Sequence, residues 1–329
     1  MRYFVTGGTG LLGNNIVRRL AATGQSCLTL SRDPNRERSL DDVQTDIVHG
    51  DLAESEIIDS AVSACDVVIH SAGLIHLGWK RLDESLSVNR EGTRVIAAAC
   101  HRHNKRLVLV GTVNTLALGS RHSIASEDTP IDSTAAQVPC SYVISKRAGV
   151  EVVQSLIADG LSAVIVHPGF MLGPWDWKPS SGRMIVEVAK TWRPIAPSGG
   201  CSICDVRDVA NATIQAAKVD VPSGRQYILA GENWTYGELW TAIAQRVGKR
   251  PPLMRAGPLQ RLVAAGAGDC LSRFQSKEVD FNSAGVRMSS QFHFYDSARA
   301  RTELDYQSRP VNESLDDSIA WLRHHGMLA

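Results

Sequence analysis

Two groups of residues in this chain have the types and spacing to do chemistry. Tyr142-Val143-Ile144-Ser145-Lys146 sets a phenol and an ammonium four residues apart, on one face of a helix. A free Tyr has a pKa near ~10, too high to exchange a proton readily at neutral pH. A neighbouring Lys⁺ stabilises the phenolate and lowers that value, so the spacing makes Tyr142 a general acid/base tuned by Lys146. The second group is Thr6-Gly7-Gly8-Thr9-Gly10-Leu11-Leu12-Gly13, with glycines at 7, 10 and 13. Glycines at these positions let a strand turn tightly into a helix and let backbone approach a pyrophosphate, whose charge the helix N-terminus then meets. Together the two groups point to a nicotinamide dinucleotide and a proton donor beside it, with Lys146 also placed to hold the nicotinamide ribose.

The elements that must position these groups are legible as alternation. Residues 3–6, 27–31, 46–49, 66–71, 107–111 and 163–167 are apolar runs of strand length with almost no polar alternation, as in a parallel sheet covered on both faces. Helical patterns at 11–22, 54–64, 82–103 and 142–159 separate them, which makes repeated β-α-β units and predicts an α/β, Rossmann-type doubly wound sheet. After His167 the breakers Pro168, Gly169, Gly173, Pro174, Pro179 and Gly182 cluster, then Pro194, Pro197, Gly199 and Gly200, a texture unsuited to a sheet core. Helices are expected from about Asp205 and over 235–247, 258–274, 297–304 and 312–325, with a strand at 226–230. The division expected is a dinucleotide-binding domain over 1–170 and a smaller, mostly helical substrate domain over 171–329, with segments near 205–230 returning to the first.

The second strand ends at Ser31-Arg32-Asp33. An NAD site usually has an acid there for the ribose 2′-OH; Ser31 stands in that place and Arg32 suits a 2′-phosphate. NADP is therefore the expected cofactor, with NAD the alternative because Asp33 can turn back to the ribose. Asp51 and Leu52 follow the third strand, where Asp51 is placed for the adenine amino group or to cap the next helix.

Composition removes other classes. The 329 residues carry 35 Lys+Arg against 34 Asp+Glu, a formal net charge of +1, and 6% are aromatic. Neither a basic footprint nor stacking platforms for nucleic acid are evident, no run is long enough for a membrane span, and the N-terminus enters structure at once. The expectation is a cytoplasmic protein without nucleic-acid or membrane partners. Seven scattered cysteines, the lone Cys201-Ser-Ile-Cys204 included, read as free thiols used as small apolar residues, with no metal site. His76, His101, His103, His324 and His325 show no ligand-like spacing to carboxylates and read as surface residues. Trp175-Asp176-Trp177 reads either as a pocket wall or as a packed loop.

The glycine turn, His70-Ser71-Ala72-Gly73, Asn89 with Gly92-Thr93, Tyr142-x-x-x-Lys146, His167-Pro168-Gly169 and Asp205-Val206-Arg207-Asp208-Val209-Ala210 together resemble the extended short-chain dehydrogenase/reductase superfamily. The similarity is greatest to its dihydroflavonol-4-reductase-like branch and spans nearly the whole chain. The resemblance implies that Ser71, Ala72, Gly73, Asn89, His167, Pro168 and Gly169 line the cofactor site, Asn89 by ordering it, and that a hydroxyl past the fifth strand joins Tyr142 and Lys146 in catalysis. Where members usually carry Ser-Ser this chain has Gly111-Thr112, and Thr112 matches best, with Asn114 and Thr115 as alternatives. A homodimer through helices 82–103 and 142–159 is also implied.

The activity expected is an NADP-dependent oxidoreductase moving hydride to or from the carbonyl/alcohol carbon of a small or lipophilic substrate. A nucleotide-sugar epimerase or dehydratase with the same triad is the alternative, and a non-enzymatic dinucleotide sensor a third reading that an intact Tyr/Lys pair disfavours. A sugar diphosphate needs cations, yet 198–204 is uncharged and His167 stands where those members carry Arg, leaving Arg183, Lys190 and Arg193 on one expected helix as candidates.

Overall fold

A computed structural model describes residues 1–33, 38–131, 137–274, 278 and 282–328. The first half of the chain alternates as expected: β1 (Arg2–Thr6), α1 (Leu11–Ala22), β2 (Ser26–Ser31), β3 (Asp46–His49), α2 (Ser55–Ser63), β4 (Val67–His70), α3 (Leu82–Leu86), α4 (Gly92–Arg102), β5 (Arg106–Val110), α5 (Ser141–Ala158) and β6 (Ala163–Pro168). Then follow β7 (Phe170–Leu172), α6 (Arg183–Lys190), β8 (Ile195–Ala196), β9 (Gly200–Asp205), α7 (Val206–Ala216), β10 (Arg225–Leu229), β11 (Glu232–Thr235), α8 (Tyr236–Arg246), β12 (Met254–Arg255), α9 (Pro258–Phe274), α10 (Ser283–Met288), β13 (Phe292–His293), α11 (Ala298–Leu304) and α12 (Val311–His324).

Seven parallel strands form one sheet in the order β10-β6-β5-β4-β1-β2-β3. Every residue of β4 is buried, because α1, α7 and α11 cover one face and α2, α4 and α5 the other. The chain winds outward from β1 to β3, then returns to β4 on β1's other side. That reversal opens a crevice at the carboxyl ends of β1 and β4, where an open α/β sheet takes its ligand.

The glycine- and proline-rich stretch after β6 does hold strands, contrary to the expectation from its breakers. β7, β11 and β13 all pair with β9, which begins with glycine and has no run of branched residues. Tertiary approach decides this region: a Cβ at Gly199 would lie 2.1 Å from the Gln291 carbonyl oxygen, and one at Gly200 2.6 Å from that of Trp234. The apolar sides of α6, α8 and α12 close a separate core with this small sheet. The helix of Arg183 ends at Lys190, so Arg193 lies beyond it rather than on it. Among the described residues no helix is long and apolar enough to cross a membrane.

Candidate active site

The glycine turn is shaped by close approach. Gly7 has φ +76°, and a Cβ there would lie 2.7 Å from the Ala72 backbone nitrogen. A Cβ at Gly13 would lie 2.1 Å from the Gly7 carbonyl oxygen, so the first turn of α1 packs directly on the loop it leaves. Gly10, the N-cap of α1, is exposed and makes no side-chain cap, which leaves the leading N–H groups beside Thr9, Leu11 and Leu12 for an anion. Ser31, at the end of β2, is buried and its hydroxyl has no partner among the described residues. A cradle of backbone donors and an orphaned hydroxyl one strand away fit the pyrophosphate and adenine ribose of a dinucleotide.

Arg32 and Asp51 are paired with each other at 3.3 Å. Both are largely exposed, so the pair is weak and gives way at little cost to a ligand that uses either partner. Asp51 also accepts from the Ala53 backbone at 3.0 Å, but it does not cap α2, whose N-cap is Glu54. Leu52 is buried against Gly92, whose Cβ would lie 2.9 Å from it.

Between α3 and α4, Ser87–Glu91 makes a π turn, an extra-residue bulge within one long helix and a common feature of functional sites. The bulge carries Asn89. Its side chain accepts from Leu74 N at 2.8 Å and donates to Leu74 O and Ser145 Oγ, each at 2.9 Å. Asn89 thus ties the loop after β4 to α5, the helix of Tyr142 and Lys146. Within that loop, Ser71 and Ala72 hang on the Thr6 backbone and hydroxyl. Gly73 leaves the gap between Asn89 and Lys146, since a Cβ there would stand 3.1 Å from Asn89 Oδ1 and 3.7 Å from Lys146 Nζ.

Lys146 Nζ donates to the Val110 carbonyl at 2.7 Å, and burial pulls its pKa down to about 8. Burial pushes the Tyr142 phenol above its ordinary value, opposite to the direction the spacing predicts. The contribution that lowers it is a hydrogen bond with the Thr112 hydroxyl, not Lys146. Of the three candidates past β5, Thr112 is the one whose hydroxyl lowers the Tyr142 phenol; Thr115 donates its hydroxyl to Thr112 O at 2.8 Å within its own turn. Asn114 donates its backbone N–H to Thr112 Oγ1 at 3.3 Å.

His167 is fully buried, with Nδ1 3.2 Å from Thr112 O and Nε2 2.7 Å from Gln226 Oε1. Burial lowers its pKa to about 4, so the ring is neutral with one N–H. With Nδ1–H given to the Thr112 carbonyl, the Gln226 amide serves Nε2 through its NH2 group. Both ring nitrogens are engaged by protein groups, and the side chain acts on the loop of Thr112 rather than projecting into the crevice. Pro168 ends β6, and Gly169 turns beside Ser202, whose carbonyl a Cβ would meet at 2.6 Å.

A model of the NAD-dependent epimerase/dehydratase family matches residues 3–230. The chain belongs to this family. A putative dihydroflavonol 4-reductase from Synechocystis is 28% identical over 98% of the chain and 95% of its own length. Sterol demethylase protein B from Methylococcus capsulatus is 28% identical over the whole of both chains. The crystal structure of gox2253 superposes with a TM-score of 0.85 at 30% identity, covering 99% of each chain. As a member of this family with reductases and dehydrogenases among its relatives, the chain is an NAD(P)-dependent oxidoreductase of the extended short-chain dehydrogenase/reductase type.

For this family member several contacts were not legible in the sequence. His76 and His103 pair with carboxylates distant in the chain, Glu278 at 2.8 Å and Asp59 at 3.0 Å, which linear spacing does not reveal. His70 is enclosed between the hydroxyls of Thr6 and Thr93, at 2.7 and 3.1 Å. Gln226 and Ser145, which fix His167 and Asn89, carry no motif, and nothing in the composition of β10 or α5 singles them out. Trp175 lies under the Arg18 guanidinium, 3.2 Å from its ring centroid, and Trp177 meets Trp321 edge-on at 5.2 Å, so these residues pack as a loop. Six cysteines are buried free thiols and Cys270 is an exposed one.

Proposed function

We propose that this enzyme is an NADP-dependent reductase or dehydrogenase acting on the ketone or secondary alcohol of a lipophilic substrate. The observation that carries the reading is the Tyr142 phenol near enough to the Thr112 hydroxyl for its pKa to be lowered by it, one helical turn from Lys146, whose Nζ stands beside Gly73 of the loop after β4. When bound, the nicotinamide supplies or accepts the hydride. Tyr142 gives the reacting oxygen its proton or takes it away, and Thr112 holds that oxygen in place. Lys146 binds the ribose and, once turned from the Val110 carbonyl, brings its charge to the phenol. Residues 1–170, with the returning segments near 205–230, serve the dinucleotide and the rest of 171–329 the substrate, in a cytoplasmic homodimer built on α3–α4 and α5.

Names of relatives favour a lipophilic substrate: a dihydroflavonol reductase, a sterol demethylase component and a steroid dehydrogenase. Against a nucleotide sugar, Lys190 and Arg193 are both drawn to Glu187, at 3.7 and 2.7 Å. A thermal-shift panel with NADP tests this. Polycyclic ketones at a hundred times their Kd are expected to stabilise by about 2.7 kcal/mol, whereas sugar nucleotides leave the melting point unchanged. Stabilisation by a UDP-sugar that vanishes in Arg183→Ala overturns the reading.

For the cofactor, titration is expected to show tighter binding of NADPH than NADH, with most of the difference lost in Arg32→Ala. One charged contact is worth roughly 1.5–3 kcal/mol, or about ten- to a hundredfold. A preference untouched by Arg32→Ala assigns selection to Asp33 or another group.

A further inference from the structure

We propose that α9 and the rim it forms beside Tyr142 dock on the surface of an anionic lipid bilayer. Three observations meet here. The first is an apolar face turned to solvent. Leu259, Leu262, Val263 and Phe274 are exposed, Leu262 to 71% and Phe274 to 84%. Their spacing puts them along one side of the 17-residue helix. Gly268 and Ser272, the buried positions, lie on the other side, where α9 meets α10. Leu253 and Met254 add exposed apolar surface just before the helix.

The second is local charge. Residues 249–274 contain Lys249, Arg250, Arg255, Arg261 and Arg273 against a single acid, Asp269, which accepts from Ser283 N at 2.8 Å. Arg261 lies on the α10 side and Arg255 turns to Thr235, which leaves Lys249, Arg250 and Arg273 exposed. The net charge of +1 for the whole chain conceals this surplus. A second copy of the chain on a two-fold axis would set the same cations against each other. An anionic surface satisfies them, and an amphipathic helix with exposed apolar residues and basic flanks is what lies in a lipid interface.

The third is position. Lys80 Nζ donates to Ser272 O at 2.6 Å, Trp79 Nε1 to Ser283 Oγ at 2.8 Å, and Asn282 Nδ2 to Leu77 O at 3.1 Å. These bonds join α9 and α10 to the loop that carries exposed Ile75, Leu77 and Trp79. That loop in turn accepts the Tyr142 backbone N–H through His76 O at 3.2 Å. Tyr142 packs against the cluster that Ala284 and Met288 of α10 form with Val138, Cys140 and Val143. The apolar rim is therefore bonded to the segment that carries Tyr142, and a bilayer against it would bring a lipophilic molecule up to that segment. A bilayer partner would run against the expectation of no membrane partner, which rested on whole-chain charge and the lack of a span.

The test is co-sedimentation of the full chain with vesicles of phosphatidylcholine, alone or mixed with phosphatidylglycerol, at low and high salt. Wild type is expected to sediment with the mixed vesicles and to be released by salt. Leu259→Glu/Leu262→Glu should lose partition about tenfold or more, and Arg273→Glu about fivefold or more, with thermal melting unchanged because all three side chains are exposed. Absence of binding to mixed vesicles, or binding unaffected by these variants, overturns the proposal. So does a dimer in size-exclusion chromatography that Leu259→Glu/Leu262→Glu converts to monomer while vesicle binding stays intact. The readout is independent of turnover, so it stands or fails apart from the assigned substrate class.

Discussion

Tyr142→Phe is expected to lower turnover at least ~10²-fold, the scale for losing a positioned general acid/base, while NADPH binding and the melting temperature stay near wild type. Residue 142 still packs against the cluster of Val138, Cys140, Val143, Ala284 and Met288, so the fold loses only one hydroxyl. Thr112 keeps its bond from Asn114 N and holds its loop. Burial raises the phenol's pKa here, so Tyr142 starts as a protonated donor, suited to reduction of a ketone. Lys146→Met separates the two duties of that residue. It should weaken NADPH binding as well as turnover, whereas Tyr142→Phe should spare binding. Fluorescence titration of NADPH beside steady-state rates on a confirmed substrate reads both. Near-wild-type rates in Tyr142→Phe would remove the phenol from the mechanism.

The sheet and the dinucleotide turn were legible because parallel strands and glycine positions are written locally. The apolar run of β4 has no polar alternation because both its faces are covered, and α1 begins at Leu11 because Gly10 caps it. What escaped is non-local. β9 forms from Gly-Cys-Ser-Ile-Cys-Asp because three strands pair with it, not through propensity. The π turn at Asn89 is invisible in a helical pattern that otherwise runs unbroken, although the residue it presents was singled out by resemblance. The surplus of cations around α9 was averaged away in the chain's net charge. At the site, the direction of the Tyr142 shift was misjudged because helical spacing brings Lys146 near without saying where its ammonium turns. The Val110 carbonyl takes it.

The departure from Ser-Ser at Gly111-Thr112 has a spatial cause, and it yields the second large effect. A Cβ at residue 111 would lie 2.7 Å from His167 Nδ1 and 2.9 Å from its Cε1. The imidazole has little room to retreat, because Thr112 O and Gln226 hold its two nitrogens and the side chain is fully buried. His167 thus occupies the space a residue-111 side chain needs, and it fixes the backbone from which Thr112 reaches Tyr142. Gly111→Ser is expected to destabilise by about 1–3 kcal/mol through overpacking and to lower kcat more than it raises KM, since Thr112 shifts from the reacting oxygen. His167→Ala alone also destabilises, by opening a cavity and leaving Gln226 without its partner. In the double variant the serine enters the vacated space, so the two losses should fall short of additive by roughly 1 kcal/mol or more in urea unfolding. A kcat partly recovered over Gly111→Ser would accompany it. Strictly additive losses would show that residue 111 and His167 do not compete for space, and the glycine would then need another explanation.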